Sequence, residues 1–486
     1  MRRLTALCTG MLCFVAGASW VHADTGAPGA GAGKLGVAAP VYKTERWEED
    51  YTYLKAPAKG NDLFDSIKYI PLNADGDLYL SFGGQVRDRY ENFNHNTFGT
   101  GTQDRDGYNL ARASIYADLH FRDYVRVFAE VRGAFENGRR GGARPQDLDQ
   151  LDLQQGFVDL SLPVNPDTKF TFRAGRQELQ FGAERLIGPA DFNNVRRTYD
   201  GFRGILQTGG NQLNLFLVRP VAVSKYDFDN ANNATVFGGV YETLQLPKVM
   251  PKAKTKIEAY GLYLNRHNET YPNSAGPARE IRYTAGARFS SNPKPFDMDI
   301  EADYQWGDYK NQDVQAYSLA SDFGYTVETT LTPRAFIGFD IASGDRKSST
   351  GRQETFNQLF PTGHTYFGYI DVVGRQNVID LHPGFDFLLL EKARFAQKVT
   401  LRAEYHQFWR QSTTDAVYSA AGTVLRNGAS DARSIGSEAD LLLKWQVDRH
   451  LGTYVGYSHF FHGKFIQETG ASKDIDFVYV AATYTF

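Results

Sequence analysis

Cysteine is almost missing from this chain: two in 486 residues, Cys8 and Cys13, both close to the N-terminus. That excludes a small disulfide-stapled ectodomain, cysteine-ligated zinc and a thiol nucleophile in the body of the protein. An excess of one charge is missing too, with 53 Lys and Arg against 56 Asp and Glu and no basic block. A nucleic-acid partner, which needs clustered positive charge, is therefore not expected. Long apolar runs are also lacking. Beyond Val21 no stretch approaches the roughly 20 consecutive apolar residues of a spanning helix, which rules out a helical membrane bundle.

The one apolar run lies at the start. Arg2 and Arg3 precede Leu4 to Val21, and Val21-His22-Ala23 puts small residues where a signal peptidase reads. This pattern predicts a secretory signal over 1–23, cleaved before Asp24. Each cysteine follows a leucine, which argues against a lipoprotein box. A Gly/Ala/Pro-rich stretch from Asp24 to Pro40 and a charged, aromatic segment from Tyr42 to Leu72 then suggest a periplasmic or plug-like extension over 24–72.

What the chain has in abundance is aromatic residues and glycine: 34 Phe, 28 Tyr, 5 Trp and 47 Gly. That mixture suits an all-β protein with many turns. From residue 73 onward period-2 patterning recurs. One face reads Leu78, Leu80, Phe82, Val86 and the other Ser81, Gln85, Arg87, Arg89, Glu91; Ala111 to Phe121, Val125 to Phe135, Met298 to Trp306 and Val399 to Trp409 repeat the motif. A soluble sandwich also alternates, but its wet face is mostly Thr, Ser and Lys. Here strand after strand sets Arg with Glu or Asp against an apolar face, as a water-filled lumen surrounded by lipid would select.

Connections alternate long and short. Long ones fall near 92–107, 137–150, 179–200, 222–232, 266–279, 345–375, 410–433 and 462–473, and short ones near 122–124, 163–167, 209–210, 291–295 and 448–449. Only the connection near 308–311 is shorter than its place requires. The pattern predicts a transmembrane antiparallel up-and-down barrel over 73–486, of about 18 strands and bacterial outer-membrane type. Val478, Val480, Ala482, Tyr484 and Phe486 share one face of the last strand, which ends on the aromatic. Trp306, Trp409 and Trp445 lie on apolar faces, as in an interfacial girdle.

Alternation assigns to the lumen Arg87, Arg89, Arg112, Arg126, Arg132, Arg173, Arg282, Arg288, Arg334, Arg402 and Arg410, with acids Glu130, Glu136, Glu301, Asp303, Glu404 and Asp440. Arg176 falls on the other face unless its strand ends near Gly175. Most of these charges are expected to satisfy one another in cross-strand ladders, with a subset setting selectivity. Other motifs dissolve. Gly29 to Lys34 lacks the first Gly and the Ser/Thr of a phosphate loop. Asp147, Asp149 and Asp152, or Asp227 and Asp229, read as solvated loop acids rather than a calcium site, without the Gly and Glu of an EF-hand. His406, His459 and His462 have no HExxH spacing. Neither a metal nor a cofactor is expected, and no catalytic constellation stands out.

Several strings resemble a known family. Phe172-Arg173-Ala174-Gly175-Arg176-Gln177, Tyr405-His406-Gln407-Phe408-Trp409-Arg410 and Gly436-Ser437-Glu438-Ala439-Asp440-Leu441 look like strands of the alginate export porins. Glu184-Arg185-Leu186-Ile187-Gly188-Pro189, Thr355 to Pro361, Gly374-Arg375-Gln376-Asn377 and Gly456 to Phe460 extend the resemblance over roughly Lys43 to Phe486. It implies a monomeric outer-membrane barrel whose Arg-lined constriction passes a polyuronate outward with periplasmic partners. Arg173, Arg176 and Arg410 lie in the matching strings. The alternatives are an uptake porin for small anionic solutes and, third, a barrel enzyme. The long 345–375 connection is a candidate gate, and 42–72 a candidate cap.

Overall fold

The computed structural model describes residues 42–486 apart from 56–61, 247–248, 251–252, 273, 275, 347–350 and 394; the expected signal segment lies outside the described residues. One sheet contains 21 strands, three of them two-residue pieces at Ile70–Pro71, Asn230–Ala231 and Arg352–Gln353. The other eighteen form a closed barrel. They are β1 (Leu78–Asn94), β2 (Tyr108–Phe121), β3 (Val125–Asn137), β4 (Asp149–Asn165), β5 (Thr168–Gln177) and β6 (Tyr199–Thr208). Next come β7 (Asn211–Ala222), β8 (Thr235–Gln245), β9 (Thr255–Glu269), β10 (Ala278–Ser291), β11 (Phe296–Tyr309) and β12 (Gln312–Thr326). The series ends with β13 (Arg334–Ala342), β14 (Val378–Ala393), β15 (Ala396–Trp409), β16 (Ser434–Gln446), β17 (Leu451–His462) and β18 (Ile475–Thr485). Each strand pairs antiparallel with the next, and β1 pairs with β18 from Gln85↔Thr485 to Asn94↔Asp476, which closes the ring. Closure leaves no unpaired edge, the condition for a sheet in lipid.

Burial is inverted relative to a soluble protein. On β1 Val86 is 46% exposed while its neighbour Arg87 is 2% exposed. The same holds for Leu213 and Leu215 against Asn214 on β7, Asn214 being 1% and Leu215 56% exposed. The apolar face looks outward and the charged face inward, so lipid is the solvent of the exterior. Aromatics gather on that exterior: Trp306 stacks between Tyr283 and Tyr304 near the loop end, and Phe296 meets Tyr325 near the turn end. A charge placed mid-wall should be costly. Leu217→Arg is expected to destabilise the barrel by about 2–4 kcal/mol, read from guanidinium unfolding in lipid vesicles against the wild type.

Tight turns occupy one end, where the N-terminal segment also enters. Gly209 and Gly210 form one of them at φ 54° and 88°, a left-handed pair that a two-residue hairpin needs. At the other end stand the long loops, with one exception. β11 and β12 are joined by Lys310 and Asn311 alone, at φ 49° and 63°. β13 is also short and pairs only with Ser318–Thr326 of β12; above it, Arg352–Gln353 pair parallel with Asp313 and Val314. No helix of the described residues is long and apolar enough to cross a membrane, and the two α-helices, Asp65–Lys68 and Lys464–Thr469, are single turns or little more.

Candidate functional site: a lumen filled by loops and the N-terminal segment

The lumen is not an open water column. Two connections fold into it, 178–198 between β5 and β6 and, between β13 and β14, the part from Gln353 to Asn377. They pair with one another: Ile187 bridges Phe360, Gly188 N–H donates to Phe360 O at 2.9 Å and Phe360 N–H to Leu186 O at 2.9 Å. Thr362 N–H then reaches Glu184 O, and Arg197 holds the carbonyls of Gly188 and Pro361. A third loop, 410–433, caps them. Gln358 Nε2 donates to Ala420 O at 2.7 Å, and Asp415 accepts from Asp345 N–H and Thr355 Oγ1. The buried apolar core of the molecule therefore lies inside the barrel, where Phe356, Phe367 and Ile370 of the loops meet wall residues such as Phe237, Leu262 and Phe460. The sequence reading of a lumen lined by charge throughout is corrected here: part of the inward wall is aromatic because loops, not water, cover it.

The inward-folded loops are anchored by arginine. Arg87 donates to the carbonyls of Asp191 (2.7 Å) and Asn193 (2.8 Å), Arg89 to that of Phe192, and Arg112 to the Asp191 carboxylate at 2.9 Å. Across the lumen Arg185 reaches Asp299 (2.7 Å) and Glu301 (3.0 Å) on β11. The loop is thus strung between opposite walls. Five guanidinium donors in a fixed fork suit this work, since a carbonyl cluster has no other source of buried donors.

The N-terminal segment fills the turn end. Arg46 pairs with Glu49 and donates to the carbonyls of Gly84 and Phe486. Trp47 lies under Arg173, 3.8 Å from guanidinium to ring, and edge-on to Phe157. Lys68 is buried among Tyr42, Tyr51 and Tyr116. Burial, reinforced by nearby Arg46, pushes its ammonium down to about 7 from an ordinary 10.5. A lysine lowered on docking costs docking energy in full below about 7, and the cost vanishes as pH climbs to 10.5. The segment is therefore expected to dock more tightly across that interval. Lys68→Met should flatten the dependence, read as protection of 42–72 from protease at matched pH.

Each arginine assigned to the lumen by alternation has a definite place. Arg126 pairs with Asp118, Arg132 with Asp149, and Arg173 with Asp159 at 2.7 and 2.8 Å. Glu130 accepts from Gln155 Nε2 at 3.1 Å. All are buried. Arg282 is wholly enclosed by Glu280, Gln305, Tyr271 and the Thr355 carbonyl. Two assignments need correction. Arg176 stands on the outward face near the loop end, clamped by Asp152 and Asp200 at 2.8 Å each, so strict alternation was the better guide than the family string. Arg410 lies one residue beyond β15, ringed by the carbonyls of Thr413, Asp415, Ser430 and Ala432 with Phe465 beneath it; it ties a loop and lines no passage. The loop acids are corrected as well. Asp149, Asp152 and Asp229 are brought together and buried rather than solvated, because loop 223–234 folds over Arg132 and Arg176.

Water also reaches a longer row of arginines on another part of the wall. On β10 to β15, towards the turn end, Arg288, Arg334 and Arg402 keep 12%, 20% and 21% of their side chains accessible. Arg288 pairs with Asp299 and Glu258; Arg334 with Asp297, Asp322 and Asp386; Arg402 with Asp386 at 2.8 Å and Glu404 at 3.6 Å. The result is a row of alternating sign. Sequence reasoning named these arginines but had no signal to separate them from the enclosed ones.

A closed barrel with an apolar exterior, girdled by aromatics and narrowed by inward loops, defines an outer-membrane channel of the porin type. The chain belongs to the alginate export family, whose pattern matches residues 78–479. Among curated proteins no sequence is significantly similar. Solved porins of Pseudomonas aeruginosa share the fold. OpdK with vanillate superposes with a TM-score of 0.55 at 10% identity, covering 84% of this chain and 98% of that one. OccK3 (OpdO) gives 0.53 at 11% identity over 83% and 95%, and OccK8 (OprE) 0.52 at 13% over 84% and 98%.

Proposed function

We propose that this channel passes carboxylate-bearing solutes, a polyuronate chain foremost, and performs no chemistry on them. The observation that carries the reading is the water-accessible row of Arg288 on β10, Arg334 on β13 and Arg402 on β15, interleaved with Asp297 and Asp299 on β11, Asp322 on β12 and Asp386 on β14. Fixed guanidinium groups lower the cost of bringing a carboxylate into a narrow passage, and neighbouring acids keep it from staying. Membership of the alginate export family supports a uronate polymer as the cargo.

The test is a planar bilayer. Reversal potential across a salt gradient should show anion preference, and oligouronates should block the current. In the Arg288→Gln, Arg334→Gln, Arg402→Gln triple variant block should weaken roughly tenfold, ~1.4 kcal/mol. Cation preference in the wild type would overturn the reading. A second reading is uptake of small carboxylates. It is favoured by the depth to which loops and the N-terminal segment fill the lumen, and by the vanillate that accompanies OpdK. Permeation of aromatic carboxylates with no oligouronate block would select it.

A further inference from the structure

On the inner wall of β13 to β16, beneath the inward loop, Asp380 and His382 on β14 meet His406 on β15. Residues two apart on a strand share a face, so Asp380 and His382 both point inward, and the pairing Leu381↔Gln407 brings His406 alongside. Asp380 Oδ2 lies 2.9 Å from His382 Nδ1 and 2.8 Å from His406 Nδ1. The imidazoles stack with centroids 5.1 Å apart, and one donor atom from each of the three residues falls within 4.8 Å of the others. All three side chains are buried.

The surroundings are acidic beyond what hydrogen bonding uses. Asp340 stands 3.7 Å from His382 Nδ1, Glu404 3.7 Å from His406 Nε2, and Glu438 is the β16 partner of His406, with Asp440 two residues on. Donors are short here: Asp380 Oδ1 has no hydrogen-bond partner, and Glu438 Oε2 and the Asp440 carboxylate have only one another and the Ser458 hydroxyl to turn to. Arg375 pairs with Asp340 and Arg402 with Glu404, which leaves Asp380, Glu438 and Asp440 without a guanidinium. Buried carboxylate oxygens short of donors around two imidazoles call for a cation.

The geometry points to a divalent transition-metal site, Zn²⁺ the best match, ligated by Asp380, His382 and His406 with the charge of Glu438 and Asp440 behind it. Two neutral imidazoles and a carboxylate are the donor set that a borderline-soft cation prefers over calcium or magnesium. Ligation displaces the protons that the imidazoles share with Asp380. The site is structural. It ties β14 to β15 where the inward loop rests, since Ile370 N–H donates to Glu438 Oε1 at 2.8 Å.

The full chain, folded in detergent and freed of metal, is titrated with zinc chloride by calorimetry and with cobalt chloride by visible absorption. One equivalent of zinc should bind, His382→Gln and His406→Gln should each weaken binding at least tenfold, and His459→Gln should not. Cobalt should give the d–d bands of nitrogen and oxygen ligation. Absence of zinc uptake, or uptake unchanged in both variants, overturns the assignment. So does displacement of zinc by equimolar calcium, which would mean an oxygen-only site. Should either variant fail to show the heat-resistant migration of a folded barrel, the wild-type cobalt spectrum decides alone: d–d bands support imidazole ligation, and their absence overturns it.

Discussion

Replacing Asp345–Arg375 by a short Gly-Ser linker should raise single-channel conductance several-fold and abolish discrimination among anions. Its ends are placed for such a change, because Ala342 already pairs with Val378 across the β13–β14 junction. The excised residues supply Phe356, Phe360, Phe367 and Ile370, which seat loop 178–198 through the Ile187–Phe360 bridge. Removing one loop therefore loosens the other, and the open cross-section that carries ions grows on both sides. The wall should hold, since β13 to β15 keep their ladders. Conductance unchanged in planar bilayers, with the barrel still resistant to heat in detergent, would show that the narrowest point lies elsewhere.

The second large effect is expected from excising the N-terminal segment through Lys68. Conductance should rise roughly twofold or more, because Trp47, Arg46 and Lys68 occupy the turn end beside β1 to β5. Anion selectivity should persist, since Arg288, Arg334 and Arg402 lie across the lumen and none of their ion pairs involves the segment. The two excisions thus separate gating from discrimination. If the truncated channel loses its anion preference, the row on β10 to β15 is not the selective element and the proposed role of its arginines fails.

Much of this was legible in the sequence, for a physical reason. A strand between lipid and lumen must alternate, so Val86 and Arg87, or Leu215 and Asn214, declare the wall through period alone. Connection lengths marked the ends: a tight turn near 209–210, and the short connection near 308–311 that broke the long-short rule and proves to be Lys310 and Asn311 alone. What alternation cannot express is which inward positions stay wet. Phe237 and Leu262 face inward and are apolar because Phe360 and Ile187 arrive there from distant parts of the chain. Arg282 and Arg334 look alike in sequence. One is enclosed by Thr355 and Tyr271, the other keeps a fifth of its side chain accessible, and only the path of the loop before β14 separates them. Arg410 misled because its strand ends at Trp409, one residue short.

The seat of the N-terminal segment sets the order of assembly. Arg46 is held by the carbonyls of Gly84 and Phe486, Phe64 rests on the Phe486 ring, and Asp62 is gripped by Arg449 and His450. Those groups come from the first strand, the last hairpin and the final residue, and they stand together only after β18 has zipped onto β1. A segment that precedes the barrel in sequence is thus the last to find its place. Until then Trp47 and Phe64 have no barrel to rest on, and docking of the segment reports that the ring is complete.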